Sequence, residues 1–272
     1  MQYNKELAIS FFCTRHEYVS GALHECLKQY FAFGLSKNYK FDLFFIFDQG
    51  IKYQYYDLLE LESHQNINKV IIHSLELSDQ NNLYIKSGHS TELYEKHGKP
   101  TLGLSTGPNN LFFGGMRFLG KRNYKNYLLL ETDTRPVKYF WFDLLHQYCV
   151  EEDFLIAGSR YDGRQHIPES YDWKHHLNGV AIYKNSNLLK SLLRETVKTV
   201  KSLTKKGKHD HFVNYDIAIY YTINASDKNR KKYSGAKNTK IISNISLGID
   251  QKTKESNICR QNKDLIILHQ KV

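Results

Sequence analysis

Long apolar runs are missing from this 272-residue sequence. None approaches the ~18–20 consecutive residues that span a bilayer, so no transmembrane helix is expected. Cysteine is scarce as well. Cys13, Cys26, Cys149 and Cys259 lie far apart and form no C-x-x-C pair. That argues against a zinc site and for the reduced, mostly buried thiols of a cytosolic protein. The opening Met1-Gln2-Tyr3-Asn4-Lys5-Glu6 runs straight into a strand-like segment, so no signal peptide is expected. Zinc-finger spacing, a KH loop and the aromatic motifs of an RNA-binding sheet are also lacking, which sets nucleic acid aside as an expected partner. No repeat, low-complexity tract or clear linker divides the chain, and 41% hydrophobic residues suffice for one large core. A single domain is expected.

Negative charge is the minority sign. The formal net charge is +10 and the pI about 9.2, with basic residues gathered in Lys198 to Lys208 and Lys228 to Lys240. Such an excess favours phosphorylated substrates or an anionic membrane surface.

Against this background one stretch stands out: Tyr127-Leu128-Leu129-Leu130-Glu131-Thr132-Asp133-Thr134-Arg135-Pro136. The apolar run reads as a central parallel strand buried on both faces. Glu131 and Asp133 are two apart, so in extended backbone they share a face at the strand's carboxyl end. Pro136 removes a ladder donor and ends the strand. Ligands of open α/β sheets sit outside the carboxyl ends of strands. A carboxylate pair there suits Mn²⁺ or Mg²⁺, which in turn neutralises a diphosphate.

The rest of the chain alternates strand and helix. Leu7 to Cys13 is a buried strand, followed by a helix from the Thr14–Glu17 capping box to about Phe33 with Val19, Leu23, Leu27, Tyr30 and Phe31 on its apolar side. Phe41 to Phe47 is the second strand and ends at Asp48. Arg15 and Asp48 are then expected at one sheet edge, placed either to read a nucleotide base and ribose or only to pair with a neighbouring carboxylate and start a turn. Tyr56 to Glu62 is a short helix and Val70 to Leu75 a third strand. Ser105-Thr106-Gly107-Pro108-Asn109-Asn110 starts a helix whose N-terminus offers amide donors to an anion, with Pro108 at the first helical position. A helix follows at about Tyr139 to Tyr148, then the strand Phe154 to Ser159. Gly163 to Trp173 is a polar loop long enough to form a substrate lid. His175 to Tyr183 is a strand with an interior glycine, Gly179, of the kind that marks close approach of a ligand. His175 and His176 are neighbours on that strand, point to opposite faces and are set aside as metal ligands. Ser186 to Leu203 is an amphipathic helix whose basic face rests in solvent or on anionic lipid. Tyr215 to Tyr221 is a further apolar segment, Lys228 to Lys240 a charged loop, and Asp264 to Val272 a closing strand that ends in His269-Gln270-Lys271.

Taken in order, these motifs resemble the GT-A nucleotide-sugar glycosyltransferases over most of the chain. The resemblance implies a single α/β domain with a mostly parallel central sheet flanked by helices. Its nucleotide-sugar half would span about 1–136 and its acceptor half about 137–272. It implies a metal-dependent transferase that takes a sugar from a nucleoside diphosphate, with uridine the family's most frequent choice, to a glycan or lipid-linked acceptor. By the same likeness Asp133 is the direct metal ligand, Glu131 a ribose or water-mediated contact, and His269 the third ligand. Lys271 sits on the phosphates, Thr14, Arg15, Asp48 and Asn109 on the nucleotide, and Asn178 and Gly179 beside the sugar or acceptor. The family's motif usually opens on Asp, and here it opens on Glu131. An inverting enzyme also needs a carboxylate base, for which Asp216 is the first candidate and Glu169 the second. A retaining enzyme uses none. Two rivals remain: a nucleotidyltransferase, although the expected glycine-rich loop after the first strand is missing at Cys13-Thr14-Arg15-His16-Glu17, and a non-catalytic nucleotide- or sugar-binding scaffold.

Overall fold

Three apolar runs set the architecture. Leu7–Cys13 (β2), Tyr39–Phe47 (β3) and Asn126–Leu130 (β5) are buried along almost their whole length. Because side chains alternate across a strand, each run supplies two cores. Ile9, Phe11, Leu43, Phe45, Leu128 and Leu130 enter one layer, while Ala8, Phe12, Phe44, Ile46, Tyr127 and Leu129 enter the other. Strands covered on both faces have no reason to carry polar residues, which is why they read as continuous apolar sequence.

The computed structural model describes residues 1–50, 55–84, 102–103, 105–161, 176–205, 213–246 and 257–271. β1 (Gln2–Tyr3) and β4 (Ile67–Ser74) both pair with β3, and the sheet continues from β3 through β2, β5, β8 (Leu177–Lys184) and β7 (Ile156–Arg160) to β9 (Ala236–Asn238). Every pairing in it is parallel except the two made by β8. Helices α2 (Ala22–Ala32) and α5 (Trp141–Glu151) cover one face. On the other lie α4 (Thr106–Leu119), α6 (Asn187–Lys205) and α7 (Tyr215–Asn224). A second, three-stranded sheet is formed by β6 (Thr134–Pro136), β11 (Ile267–Lys271) and β10 (Ile242–Ser246), with β11 in the middle, antiparallel to β6 and parallel to β10.

The structure corrects several local expectations. The first helix is two: α1 (Arg15–Val19) stops at Ser20, and Gly21 takes a left-handed φ of +82° before α2 begins. Only glycine enters that region without strain, so the chain turns there, and Val19 falls off the apolar side to stand 67% exposed. The short helix after β3 is α3 (Tyr56–Leu59) followed by a 3₁₀ turn, Glu60–Ser63. Pro108 sits at the third rather than the first helical position of α4, still within the first turn, whose amides have no helical partner. β5 ends at Leu130, and residues 131–133 are a turn instead of extended strand. Thr134 closes that turn by donating its amide to Glu131 O at 3.2 Å, and Pro136 ends β6. The apolar segment after 214 is helix α7, and the charged loop contains α8 (Asp227–Lys232), capped by Ser226, and then β9.

Candidate active site

The carboxyl ends of β2, β3 and β5 open on a cleft of about 960 Å³, closed from the far side by the starts of α4, β8 and α7. In a protein with a net charge of +10 its wall is acidic: Glu17, Asp48, Glu131, Asp133 and Asp216 line it, against Arg15 and His16. Such concentrated negative charge calls for cations or dense hydrogen bonding.

Three of these carboxylates have partners that fix the loops. Glu17 completes the capping box, accepting from Thr14 N at 2.6 Å, and its other oxygen accepts from Thr132 Oγ1 at 2.5 Å. Asp48 is buried and accepts from Arg15 N at 2.7 Å and Asn82 Nδ2 at 2.9 Å. It therefore ties the end of β3 to the start of α1 through backbone, while the Arg15 side chain remains exposed. Asp216, in the first turn of α7, accepts from Ile217 N and lies 3.5 Å from Nε2 of buried His176.

Glu131 and Asp133 face a different partner. The turn that carries them is held by Thr134 Oγ1, which donates to Glu131 O at 2.6 Å, by Tyr30 OH donating to Thr134 Oγ1 at 2.9 Å, and by the Cys26 thiol against Thr134 O. The register of β6 with β11 sets His269 opposite Thr134, which brings its imidazole beneath both carboxylates. Nε2 of His269, fully buried, lies 3.0 Å from Asp133 Oδ1 and 3.3 Å from Glu131 Oε2. One atom from each of the three residues falls within 4.8 Å of the others.

The chemistry of this trio fits a divalent cation. Asp133 Oδ1 and His269 Nε2 are buried and face each other at 3.0 Å outside hydrogen-bond geometry, an ion pair when the imidazole is protonated and two acceptors with no hydrogen between them when it is neutral. In the neutral state leaving both unsatisfied is costly, and a cation bound by both takes the place of the proton. The ring orientation is fixed from behind. Asn244 Nδ2 donates to Ser159 O at 3.2 Å and to Arg160 O at 2.9 Å, so its Oδ1 faces Nδ1 of His269 at 2.9 Å and accepts. Nδ1 then carries a hydrogen in either state of the ring, so the proton lost to a metal is the one on Nε2, whose lone pair is then offered to the ion. Two carboxylates and an imidazole suit Mn²⁺, and Mg²⁺ to a lesser degree. Without a metal, burial works against the imidazolium, but Asp133 and Glu131 outweigh it and push the His269 pKa up to about 9.

Tyr215 completes the wall. Its ring stacks on Phe112 at 3.8 Å and 6°, and its hydroxyl donates to Glu131 Oε1 at 3.4 Å. Burial holds this phenol well above its ordinary pKa, so it stays a neutral donor. Gly179 makes that position available. A Cβ there would lie 1.8 Å from the Tyr215 hydroxyl.

Of the residues singled out in the sequence, Thr14, Arg15, Asp48, Glu131, Asp133, Asn178 and Asp216 line the cleft, and His269 lies under its floor. Asn109 does not line it. Its amide is buried and donates to Leu102 O at 3.2 Å and Val213 O at 2.9 Å, latching two loops together. Gly179 lies behind Tyr215, so its part is steric. Glu169 lies outside the described residues, and so does the whole lid loop, Gly163 to Trp173. Lys271 pairs with Ser246 through backbone as the last residue of β11, and its side chain lies outside the described part. His176 enters the site through Asp216, and His175 lies outside the described residues. The sequence reading missed Asn244, Tyr215, Glu17 and Thr132. Glu17 was visible as a cap, whereas the others are defined by partners far away in the chain.

No family model matches this sequence, and no curated protein matches it. Solved structures do. The apo form of the glycosyltransferase GlyE from Streptococcus pneumoniae TIGR4 superposes with a TM-score of 0.54 at 13% identity, over 98% of this chain and 54% of that one. Apo mouse xyloside xylosyltransferase 1 gives 0.51 at 13% identity, over 99% and 97%. The bifunctional glycosyltransferase WbbM gives 0.53 at 12% identity, over 98% and 46%. This chain thus spans about half the length of the first and third and nearly all of the second. The fold is one found among glycosyltransferases.

Proposed function

We propose that the protein is a metal-dependent glycosyltransferase that moves a sugar from a nucleoside diphosphate, uridine diphosphate in the first instance, to a glycan or lipid-linked acceptor. The observation that carries this reading is the Glu131–Asp133–His269 trio at the carboxyl end of β5, in a fold shared with glycosyltransferases. Glu131, Asp133 and His269 would hold Mn²⁺ or Mg²⁺, whose charge offsets the negative charge that grows on the departing diphosphate. Thr14, Arg15 and Asp48 would bind base and ribose in the half formed by about residues 1–136, with Lys271 on the phosphates.

In the transfer, the bond between the anomeric carbon and the diphosphate oxygen breaks as a new bond forms from that carbon to the acceptor oxygen. The nucleoside diphosphate leaves with the bonding electron pair. In an inverting course the acceptor hydroxyl proton goes to a carboxylate, and Asp216 is the described carboxylate we assign to it, with His176 orienting it from the buried side. Asn178 would border the acceptor in the half from about 137 onwards. Tyr215 positions Glu131 by its hydroxyl, an interaction that a low-dielectric wall strengthens.

The test is thermal unfolding with a panel of nucleoside diphosphates, nucleotide sugars and nucleoside triphosphates, with and without Mn²⁺. A ligand that binds only the folded state raises the melting temperature by mass action. A Mn²⁺-dependent rise with one nucleoside diphosphate supports the reading and names the base. A rise with triphosphates alone points to nucleotidyl transfer, a rise that needs no metal and comes with no turnover points to a non-catalytic scaffold, and no rise with any ligand overturns the nucleotide-sugar reading. Asp133→Ala should still fold, with the circular dichroism of the parent, yet lose turnover, and an active Asp133→Ala enzyme sinks the metal assignment.

A further inference from the structure

The outer side of α4 and α6 carries a groove that the cleft does not use. Two shallow cavities of about 350 and 340 Å³ run together there, sharing Phe113, Arg117 and Val197. Their floor is apolar, with Phe113 and Met116 from α4 and Leu193 and Val197 from α6. Their rim is cationic: Arg117, Lys121, Lys190, Arg194 and Lys201, with no carboxylate among the described lining residues.

Helical geometry extends that rim into a line. Lys190, Arg194, Lys198, Lys201 and Lys205 recur at i, i+4, i+8, i+11 and i+15 of α6. At 3.6 residues per turn they fall within an arc of roughly 80° and form a stripe about 22 Å long. The one carboxylate of α6, Glu195, lies off this arc and is paired with Lys232 at 3.0 Å. A compact anion is held by donors that converge on a point. A straight stripe of cations beside an apolar trough instead matches a flat array of anionic headgroups with hydrocarbon beneath. Nucleic acid would use the cations but is held also by stacking on open rings, and the one ring of this floor, Phe113, is only 7% exposed among aliphatic neighbours.

We infer that this groove is a membrane-docking surface, which sets anionic phospholipid headgroups on the α4–α6 rim and admits lipid carbons against Leu193 and Val197. The inference stands apart from the catalytic reading, because it needs neither donor nor metal.

The experiment is sedimentation of the whole protein with vesicles of phosphatidylcholine alone and of phosphatidylcholine mixed with phosphatidylglycerol, at low and high salt. Binding should require phosphatidylglycerol and weaken with salt. Each cation near an anionic surface changes partitioning by about fivefold, so Lys190→Glu/Arg194→Glu/Lys201→Glu should lower it by at least on the order of 100-fold. Leu193→Asn should weaken binding while leaving the cations in place. Melting temperatures and nucleotide-induced shifts equal to the parent's establish that both variants fold and that the cleft is intact. Failure of the parent protein to bind the anionic vesicles overturns the inference, as does a triple variant that still binds. Binding that persists in Leu193→Asn and is matched by heparin overturns it in favour of a polyanion site. Capture of an acidic amphipathic peptide with no vesicle binding overturns it in favour of a protein partner.

Discussion

Replacing Gly179 by alanine tests the wall of the cleft with one methyl group. The added Cβ would stand 1.8 Å from the Tyr215 hydroxyl, 2.7 Å from Cζ and 3.0 Å from Cε2, so the ring must move. It has little freedom to do so, being 8% exposed and stacked face to face on Phe112. Overpacking of this kind costs about 1–3 kcal/mol. At roughly 2–4 °C per kcal/mol for a large domain, the melting temperature should fall by about 2–12 °C. Activity should fall too, because the displaced hydroxyl leaves Glu131. The double variant Gly179→Ala/Tyr215→Phe isolates the cause. Loss of the hydroxyl removes the closest contact, so the double variant should recover part of what Gly179→Ala loses, a coupling visible in a double-mutant cycle of melting temperatures. Strictly additive losses, or a Gly179→Ala protein that melts like the parent, would refute the steric account.

Other outcomes follow from the same geometry. Asn244→Leu removes the acceptor that orients His269, and Mn²⁺ affinity, read by calorimetry, should fall about 10–100-fold with the fold retained. For His269 the folded-state pKa is raised from 6.5 to about 9 in the metal-free protein. Its contribution to stability is therefore fully present below 6.5 and lost as pH rises through about 9. Mn²⁺ needs the neutral ring, so the melting-temperature gain from Mn²⁺ should grow over the same interval as the chelated protein weakens; parallel slopes with and without metal would contradict the assignment. Burial raises the thiol pKa of Cys13, Cys26 and Cys149, that of Cys26 to about 12. In the native protein a disulfide reagent should titrate only Cys259, the partly exposed one, and all four after unfolding.

The central strands were legible because burial on both faces leaves an unbroken apolar run, as in Leu7–Cys13 and Leu128–Leu130. Tyr215–Asn224 was legible only as apolar, since a short run without polar punctuation fits strand or helix, and packing against α6 and β8 decides. β10 escaped notice because Ile242–Ser246 alternates weakly and becomes a strand by pairing with β11. The site divides along the same line. Glu131 and Asp133 announce themselves as neighbours after a buried strand. Asn244 is an unremarkable polar residue until Ser159 and Arg160 fix its amide and His269 meets its oxygen. Asn109 shows the converse: it stands in a helix start, the usual place for an anion, but its amide nitrogen is committed to two loop carbonyls that the sequence does not bring near it.

The placement of His269 on β11 has a mechanical consequence. The carboxylates belong to the turn after β5 in the large sheet, while the imidazole belongs to the small sheet, more than a hundred positions later in the chain. An ion gripped by all three is thus a reversible cross-link that closes a long loop, and cross-links across long loops restrict the unfolded chain most. Chelation would then do more than silence a reaction. Amide exchange should quicken along β10 and β11 first, the strands that the cross-link pins, and proteases should find the same edge.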